Sequence, residues 1–343
     1  MSLPVPTSYA AAEAESVGEI PRGEGWWYEP KWDGFRCMAF RDGDEVDLRS
    51  KAGKPLGRYF PDVVEAVKAL KPKRFVLDGE IVVPVDGTLS FEELQLRLHP
   101  AASRVNKLAA AHPAIYVVFD LLVDASGKSL ADEPMTDRRH ALEEFARTHL
   151  EGNERIMLSP CTNDLKEAGR WLKAGGGLDG VMAKRADLPY QSGERTGMVK
   201  IKNIRTADCV VGGFRYAAKG KSFGSLLLGL YDAEGLLHHV GFCSNMPAEE
   251  KAETLARLEK LRQAPGFTGR APGGPSRWNA GKATEWEPVR PELVVEVSYD
   301  HFSGGRFRHG TGFERWRPDK DPHQCRIERV MKESRVAMPL PNG

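Results

Sequence analysis

The sequence predicts a mixed α+β protein built in two parts. Three observations carry this. A chain of 343 residues is longer than one ordinary domain. Its first half alternates helical and strand-like apolar patterns. After about Thr206 the texture changes to short strands parted by Gly-rich turns, with one helix among them.

In the first part, Phe60, Val63, Val64, Val67 and Leu70 share one helical face. Ser90 and Glu93 form a capping box for a helix running to Leu98. Residues 136–149 and 163–174 also read as helices. Short apolar strands lie at 75–77, 81–83 and 115–123. In the second part, 209–216, 225–231, 238–243 and 293–299 read as strands and 247–263 as a helix. Several short strands with one helix suit a small β-barrel such as an OB-fold. The domains expected are 1–206 and 207–330, followed by a flexible tail, 331–343.

The chain is 41% hydrophobic and 28% charged, the composition of a globular protein with real cores. It has no apolar run long enough for a bilayer, and residues 1–12 lack the pattern of a secretory signal. Five scattered cysteines with no CxxC pair argue against a zinc site or a disulfide scaffold and for a reducing cytoplasm. Net charge is +1, so any phosphate-binding surface must come from local gathering of basic residues.

Some matches are decoys. Gly175-Gly-Gly177-Leu-Asp-Gly180 fits GxGxxG, but it follows a helix rather than a strand and reads as a helix-terminating turn. Gly220-Lys-Ser222-Phe-Gly224 fits GxSxG but lies between two strands and reads as a hairpin loop. The pair His238-His239 sits in a strand and reads as structural. No GxxxxGK[ST] loop occurs.

The informative segment is Glu29-Pro-Lys31-Trp-Asp33-Gly34-Phe-Arg36. Its bland reading is a strand followed by an Asp-Gly turn with solvated charges. Its chemical reading makes Lys31 a nucleophile, which needs a neutral, positioned amine and nearby cations such as Arg36. Downstream, Asp78-Gly79-Glu80 is expected at the edge between two strands, and Asp120 at the end of another. Asp179 and Lys184 come together in one segment, and Lys200 and Lys202 alternate onto one side of a strand. Carboxylates and cations at strand edges suit a triphosphate with a divalent cation.

In this order the segments resemble the motifs of covalent nucleotidyltransferases: DNA ligases, RNA ligases and mRNA capping enzymes. Lys31-Trp-Asp-Gly-Phe-Arg36 matches KxDGxR. Arg49-Ser-Lys51-Ala-Gly53, Asp78-Gly-Glu80, Phe119-Asp120, Asp179-Gly-Val-Met-Ala-Lys184, Lys200-Ile-Lys202 and Arg315-Trp-Arg317-Pro-Asp319-Lys320 follow. Two positions depart from the pattern. Asp179 stands where the family usually has Glu, and Met198 precedes the lysine pair where an aromatic is frequent.

The resemblance implies an α+β nucleotidyltransferase domain, the ATP-grasp-like adenylation domain of ligases, followed by an OB-fold barrel. It implies an ATP-dependent DNA ligase in which Lys31 carries AMP. Glu29 and Pro30 would hold the adenine edge and Phe119 stack on the base. Arg36 and Arg49 would contact ribose or phosphate. Glu80 and Asp179 would place Mg²⁺ or Mn²⁺, with Glu80 also near the ribose. Lys184, Lys200 and Lys202 would neutralise the α-phosphate, with Arg195 beside them. Arg317, Asp319 and Lys320 would orient pyrophosphate from the second domain, swinging on a hinge at 203–208.

Lys31 is near the N-terminus, without the extra element of NAD-dependent ligases. The chain is therefore similar to small two-domain bacterial C-type repair ligases. That likeness implies a monomer acting on nicked duplex DNA in the cytoplasm, at the nucleoid, beside a repair polymerase and away from membranes. An RNA ligase or other covalent nucleotidyltransferase stays open as an alternative. So does a nucleic-acid-binding module with an inactive nucleotide pocket.

Overall fold

Two sheets face one another in the first half of the chain, and their strands explain the patterning. The computed structural model describes residues 1–174, 178–217, 221–273 and 285–334. Among the described residues, contacts group Met1–Asn203 into one unit and 204–334 into a second. The glycines at 175–177, with Lys219, Gly220 and residues 335–343, lie outside the described residues.

The first unit runs β1 (Trp26–Trp32), β2 (Phe35–Asp42), β3 (Glu45–Ser50), α1 (Pro61–Ala69), β4 (Arg74–Val82), α2 (Phe91–Leu96), α3 (Ala102–Ala111), β5 (Ile115–Val123), α4 (Met135–His149), β6 (Ile156–Leu158), α5 (Leu165–Ala174), β7 (Leu178–Arg185) and β8 (Met198–Lys202). One sheet has the order β3-β2-β4-β5-β6. The other runs from the two-residue strand Glu15–Ser16 through β8 and β7 to β1. Strand β1 is a sheet edge, the place where Pro30 costs no ladder hydrogen bond.

Alternation divides each strand between two faces. The outer face of the larger sheet buries Cys37, Ala39, Leu77, Ile81, Tyr116 and Val118 with Val63 and Val67 of α1 and Leu142 and Phe145 of α4. The outer face of the smaller sheet buries Tyr28, Val181, Ala183 and Ile201 with Ala168 of α5. The inner faces meet in two apolar zones. One joins Met38, Phe40, Val76 and Leu122 to Met198. The other joins Val82, Ile115 and Val117 to Trp32 and Leu178. Along β4, Asp78 and Glu80 fall between Val76 and Val82, so polar side chains are confined to the middle of an apolar enclosure.

The Asp78-Gly79-Glu80 segment corrects the sequence reading. It is not a turn between two strands but the middle of β4, paired on one side with β2 and on the other with β5. Two flanking partners keep the chain extended through residues that would otherwise favour a turn. Helix α3 has no counterpart in the predicted elements. Ser90 caps α2 as expected, accepting from the Glu93 amide at 3.2 Å.

The second unit runs β9 (Arg205–Tyr216), β10 (Phe223–Tyr231), β11 (Leu237–Cys243), α6 (Ala248–Lys260), β12 (Val294–Tyr299), β13 (Gly312–Trp316) and α7 (Ile327–Ser334). Its sheet order is β11-β10-β9-β12-β13, antiparallel throughout. The two edge strands touch at one parallel bridge, Cys243 with Thr311. This strand order, with a helix between the third and fourth strands, is the OB-fold. Its interior holds Phe214, Leu226, Leu228, Leu230, Val240, Val295 and Val297. Two expectations change here. Residues 205–208 of the expected hinge are strand. Met331–Ser334 of the expected tail continue α7, whose start at Ile327 lies before it.

One backbone device in the first unit is open to test. Pairing of β7 with β1 slips between Leu178 and Gly180, leaving Asp179 as an extra residue, and Gly180 has φ +132°. A Cβ at Gly180 would lie 1.9 Å from the carbonyl oxygen of Ile201. Gly180→Ala is therefore expected to destabilise the first unit by at least about 1 kcal/mol. Urea unfolding measures this, and an unchanged midpoint would refute the account.

Candidate active site

The inner faces of the two sheets line a cleft of about 770 Å³, solvent mouth included, a size that suits a small ligand. Register puts its side chains on one face. Glu29 lies opposite Met182 and Lys31 opposite Gly180, while Met182 lies opposite Lys200 and Gly180 opposite Lys202. Residues two apart share a face, so Glu29, Lys31, Lys184, Lys200 and Lys202 all project from the inner side. Arg36, Glu80 and Phe119 enter from the larger sheet.

Lys31 donates to the carboxylate of Asp179, which is buried. The bulge makes this pairing possible: alternation alone would send Asp179 to the outer face, and the extra residue re-aims it. Gly34 sits where a Cβ would meet the Ile81 carbonyl at 2.2 Å, and its amide donates to Glu80 Oε1 at 3.1 Å. The Asp33-Gly34 turn thereby brings the Lys31 strand against β4.

Most cations here have an anion beside them. Lys184 is buried and pairs with Glu29 at 2.8 Å, its ammonium 4.8 Å from the centre of the Phe119 ring. Arg36 lies 4.7 Å from the same centre and binds Asp78 through Nε at 2.7 Å and Nη2 at 2.6 Å. Lys51 pairs with Glu13 at 3.2 Å. Lys200 has no carboxylate partner among the described residues. Burial lowers its pKa first, and Lys31, Lys51, Lys202 and Arg195 then repel its proton further. Burial pushes the Glu80 carboxyl up to about 8, against the pull of Arg36 and Lys31.

The predicted residues divide into three groups. Glu29, Pro30, Lys31, Arg36, Glu80, Phe119, Lys184 and Lys200 line the cleft. Asp179 joins them through Lys31, and Lys202 lies one alternation beyond Lys200. Arg49 and Arg195 do not line it: Arg49 engages Asp47 at 2.6 Å, and Arg195 is largely exposed and engages Glu13 at 3.1 Å. Arg317, Asp319 and Lys320 belong to the second unit. There Arg317 binds Asp319 and Asp208, each at 2.9 Å, and Lys320 binds Asp208 at 2.9 Å. Arg36 is also not free to serve as a cationic neighbour of Lys31, since Asp78 neutralises it.

Sequence reasoning missed Ala12, Glu13, Asp78 as a buried anchor, Met182 and Tyr190. Asp78 carried a signal, being the first carboxylate of the Asp-Gly-Glu triplet. Nothing in the spacing marked the others.

A family model described as ATP dependent DNA ligase domain matches residues 9–202, and another, ATP dependent DNA ligase C terminal region, matches 219–320. The chain belongs to the ATP-dependent DNA ligase family. It is 46% identical to DNA ligase C2 of Mycolicibacterium smegmatis, covering 95% of each chain. It is 43% identical to DNA ligase C of Mycobacterium tuberculosis, covering 98% of each. The multifunctional non-homologous end joining DNA repair protein LigD of that organism is 32% identical over 87% of this chain and 37% of its own. A solved Lig E DNA ligase structure superposes with a TM-score of 0.55 at 17% identity, covering 90% of this chain and 99% of that one, a likeness of fold.

The Glu80 carboxyl makes the ligase's stability depend on pH in a defined direction. A raised carboxyl binds its proton in the folded state while the unfolded chain has lost it. Stability therefore falls as pH rises from the ordinary value of 4.5 to about 8. Thermal unfolding of nucleotide-free protein across that window should show the decline. Glu80→Gln should flatten it; an equal slope in both proteins would exclude Glu80 as the source.

Proposed function

We propose that this ligase seals nicks in duplex DNA through AMP carried on Lys31. The observation that supports this best is the company Lys31 keeps. It lies on the inner face of the cleft, hydrogen-bonded to buried Asp179, and Lys200, two strands away in the same sheet, has no carboxylate partner among the described residues. A nucleotide triphosphate supplies an anion there.

Adenylation needs the Lys31 ammonium to lose a proton to solvent, while its hydrogen bond to Asp179 keeps the amine in place. The freed lone pair attacks the α-phosphorus of ATP. A P–N bond forms, the α–β P–O bond breaks, and pyrophosphate leaves with that electron pair. Lys200, with Lys202 beyond it, offsets the charge developing at the α-phosphate. Lys184 is tied to Glu29 beside Phe119, so it serves the base end together with Glu29 and Pro30. Arg36, laid against Phe119, meets the ribose or a phosphate.

Glu80 and Asp179 would hold a Mg²⁺ or Mn²⁺ ion through carboxylate oxygens, with substrate phosphates completing its shell, since among the described residues no cluster of three or more His, Cys, Asp or Glu forms a protein-only cage. Two carboxylates, substrate phosphates and retained waters match the habits of Mg²⁺, which when bound supplies charge neutralisation of the triphosphate. In the second step an oxygen of the 5′-phosphate at the nick attacks the AMP phosphorus, and the P–N bond breaks back to Lys31. In the third the 3′-hydroxyl attacks that 5′-phosphate and AMP leaves.

We assign the ligase to repair of nicks as a monomer in the cytoplasm, beside the nucleoid and a gap-filling polymerase. The printed name of the LigD relative, which includes DNA repair, supports the repair role. No helix among the described residues is long and apolar enough to cross a membrane.

Incubation with ATP labelled at the α-phosphate, followed by a denaturing gel, tests the nucleophile. Stripped wild-type protein should carry label and Lys31→Ala none; label on the variant would move the nucleophile elsewhere. Arg317, Asp319 and Lys320 are assigned to pyrophosphate and hence to adenylation alone. Asp319→Ala should slow adenylation at least about tenfold yet seal pre-adenylated DNA at the wild-type rate. Equal losses in the two assays would remove that assignment.

A further inference from the structure

Behind the Phe119 ring runs a chain of buried contacts that the motifs do not predict. Asp78, in the middle of β4, is wholly buried. It receives two hydrogen bonds from Arg36, at 2.7 and 2.6 Å, and a third from the hydroxyl of Tyr190, at 2.5 Å. Tyr190 follows β7 and is itself buried. Its hydroxyl accepts from the amide of Ala12 at 3.0 Å, so its own proton is committed to Asp78. Its ring stacks on Tyr9 at 5.9 Å, and the Arg138 guanidinium, held by Asp120 at 2.8 Å, lies 5.5 Å from its centre.

We propose that Tyr190 is a positioning residue for ATP binding: acting through Asp78, its hydroxyl fixes the Arg36 guanidinium against Phe119, where the nucleotide is received. A planar Arg–carboxylate pair can pivot as a unit about the Asp side-chain torsion. A third donor on the same carboxylate removes that freedom, because any pivot would leave a buried lone pair without a partner. Tyr190 in turn cannot yield, pinned by the Ala12 amide and by packing on Tyr9. Asp78 is thus an anchor, not a ligand for nucleotide or metal.

This inference rests on the lysyl-adenylate reading, and its test separates the two. The full chain, stripped of AMP, is assayed for the initial rate of labelled protein formation against ATP concentration. The proteins compared are wild type, Tyr190→Phe, Arg36→Lys and the double variant. Tyr190→Phe keeps the ring and loses the hydroxyl. It should raise the KM for ATP by about fivefold to tenfold, with kcat within about twofold of wild type. In the Arg36→Lys background it should add almost nothing, because both act through one contact. Asp78→Asn should give the same KM-selective change.

An unchanged KM in Tyr190→Phe would overturn the proposal. So would multiplicative effects in the double variant, or a fall in kcat matched by a lowered melting temperature. If wild type itself takes no label, the lysyl-adenylate reading falls, and this inference falls with it.

Discussion

Everything in the cleft depends on the extra residue at Asp179. Strand alternation is strict, so a carboxylate between Leu178 and Gly180 belongs on the outer face, under α5, where it would face an apolar cluster. The slip in the β7–β1 pairing turns it inward to meet Lys31. Gly180 is the residue that permits this, because its backbone conformation and the closeness of the Ile201 carbonyl leave no room for a side chain.

Around that point the two sheets enclose polar groups between two apolar zones, which gives the cleft its electrostatic character. Charges taken out of water must be paired. Arg36 has Asp78, Lys184 has Glu29, and Lys31 has Asp179. The exposed cations around the mouth depend less on such pairing, since solvent screens them. Lys200 lies between these regimes, its pKa lowered first by burial and then by four basic neighbours. Glu80 expresses the same enclosure from the other side: its carboxyl is driven to about 8 because burial disfavours its charged form.

The second unit follows the same logic with backbone rather than side chains. Five strands in the OB order leave β11 and β13 as edges, and one parallel bridge joins them. Asp208 on β9 gathers Arg317 and Lys320 from the segment after β13, and Arg317 also holds the exposed Asp319 carboxyl down to about 2. The closing motif is thus a compact ionic knot on the OB unit.

The linear order of residue types by itself determined the family chemistry: a lysine followed by Asp-Gly and Arg, then an acid pair, an Asp-Gly-to-Lys strand and alternating lysines. It also determined that Lys200 and Lys202 share a face, because a two-residue period needs no tertiary information. The OB-fold was legible for a related reason, since short strands around one helix have few arrangements. Tertiary structure alone decided which acid meets which cation. Asp78-Gly79-Glu80 resembled a turn until two neighbouring strands held it extended. Asp78 and Glu80, two residues apart, then took different tasks because one is wholly buried against Arg36 and Tyr190 while the other opens on the cleft. Tyr190 lies 112 residues from Asp78, and no local pattern relates them. Local propensity reads neighbours along the chain, whereas partnerships across sheets are set by register, bulges and burial.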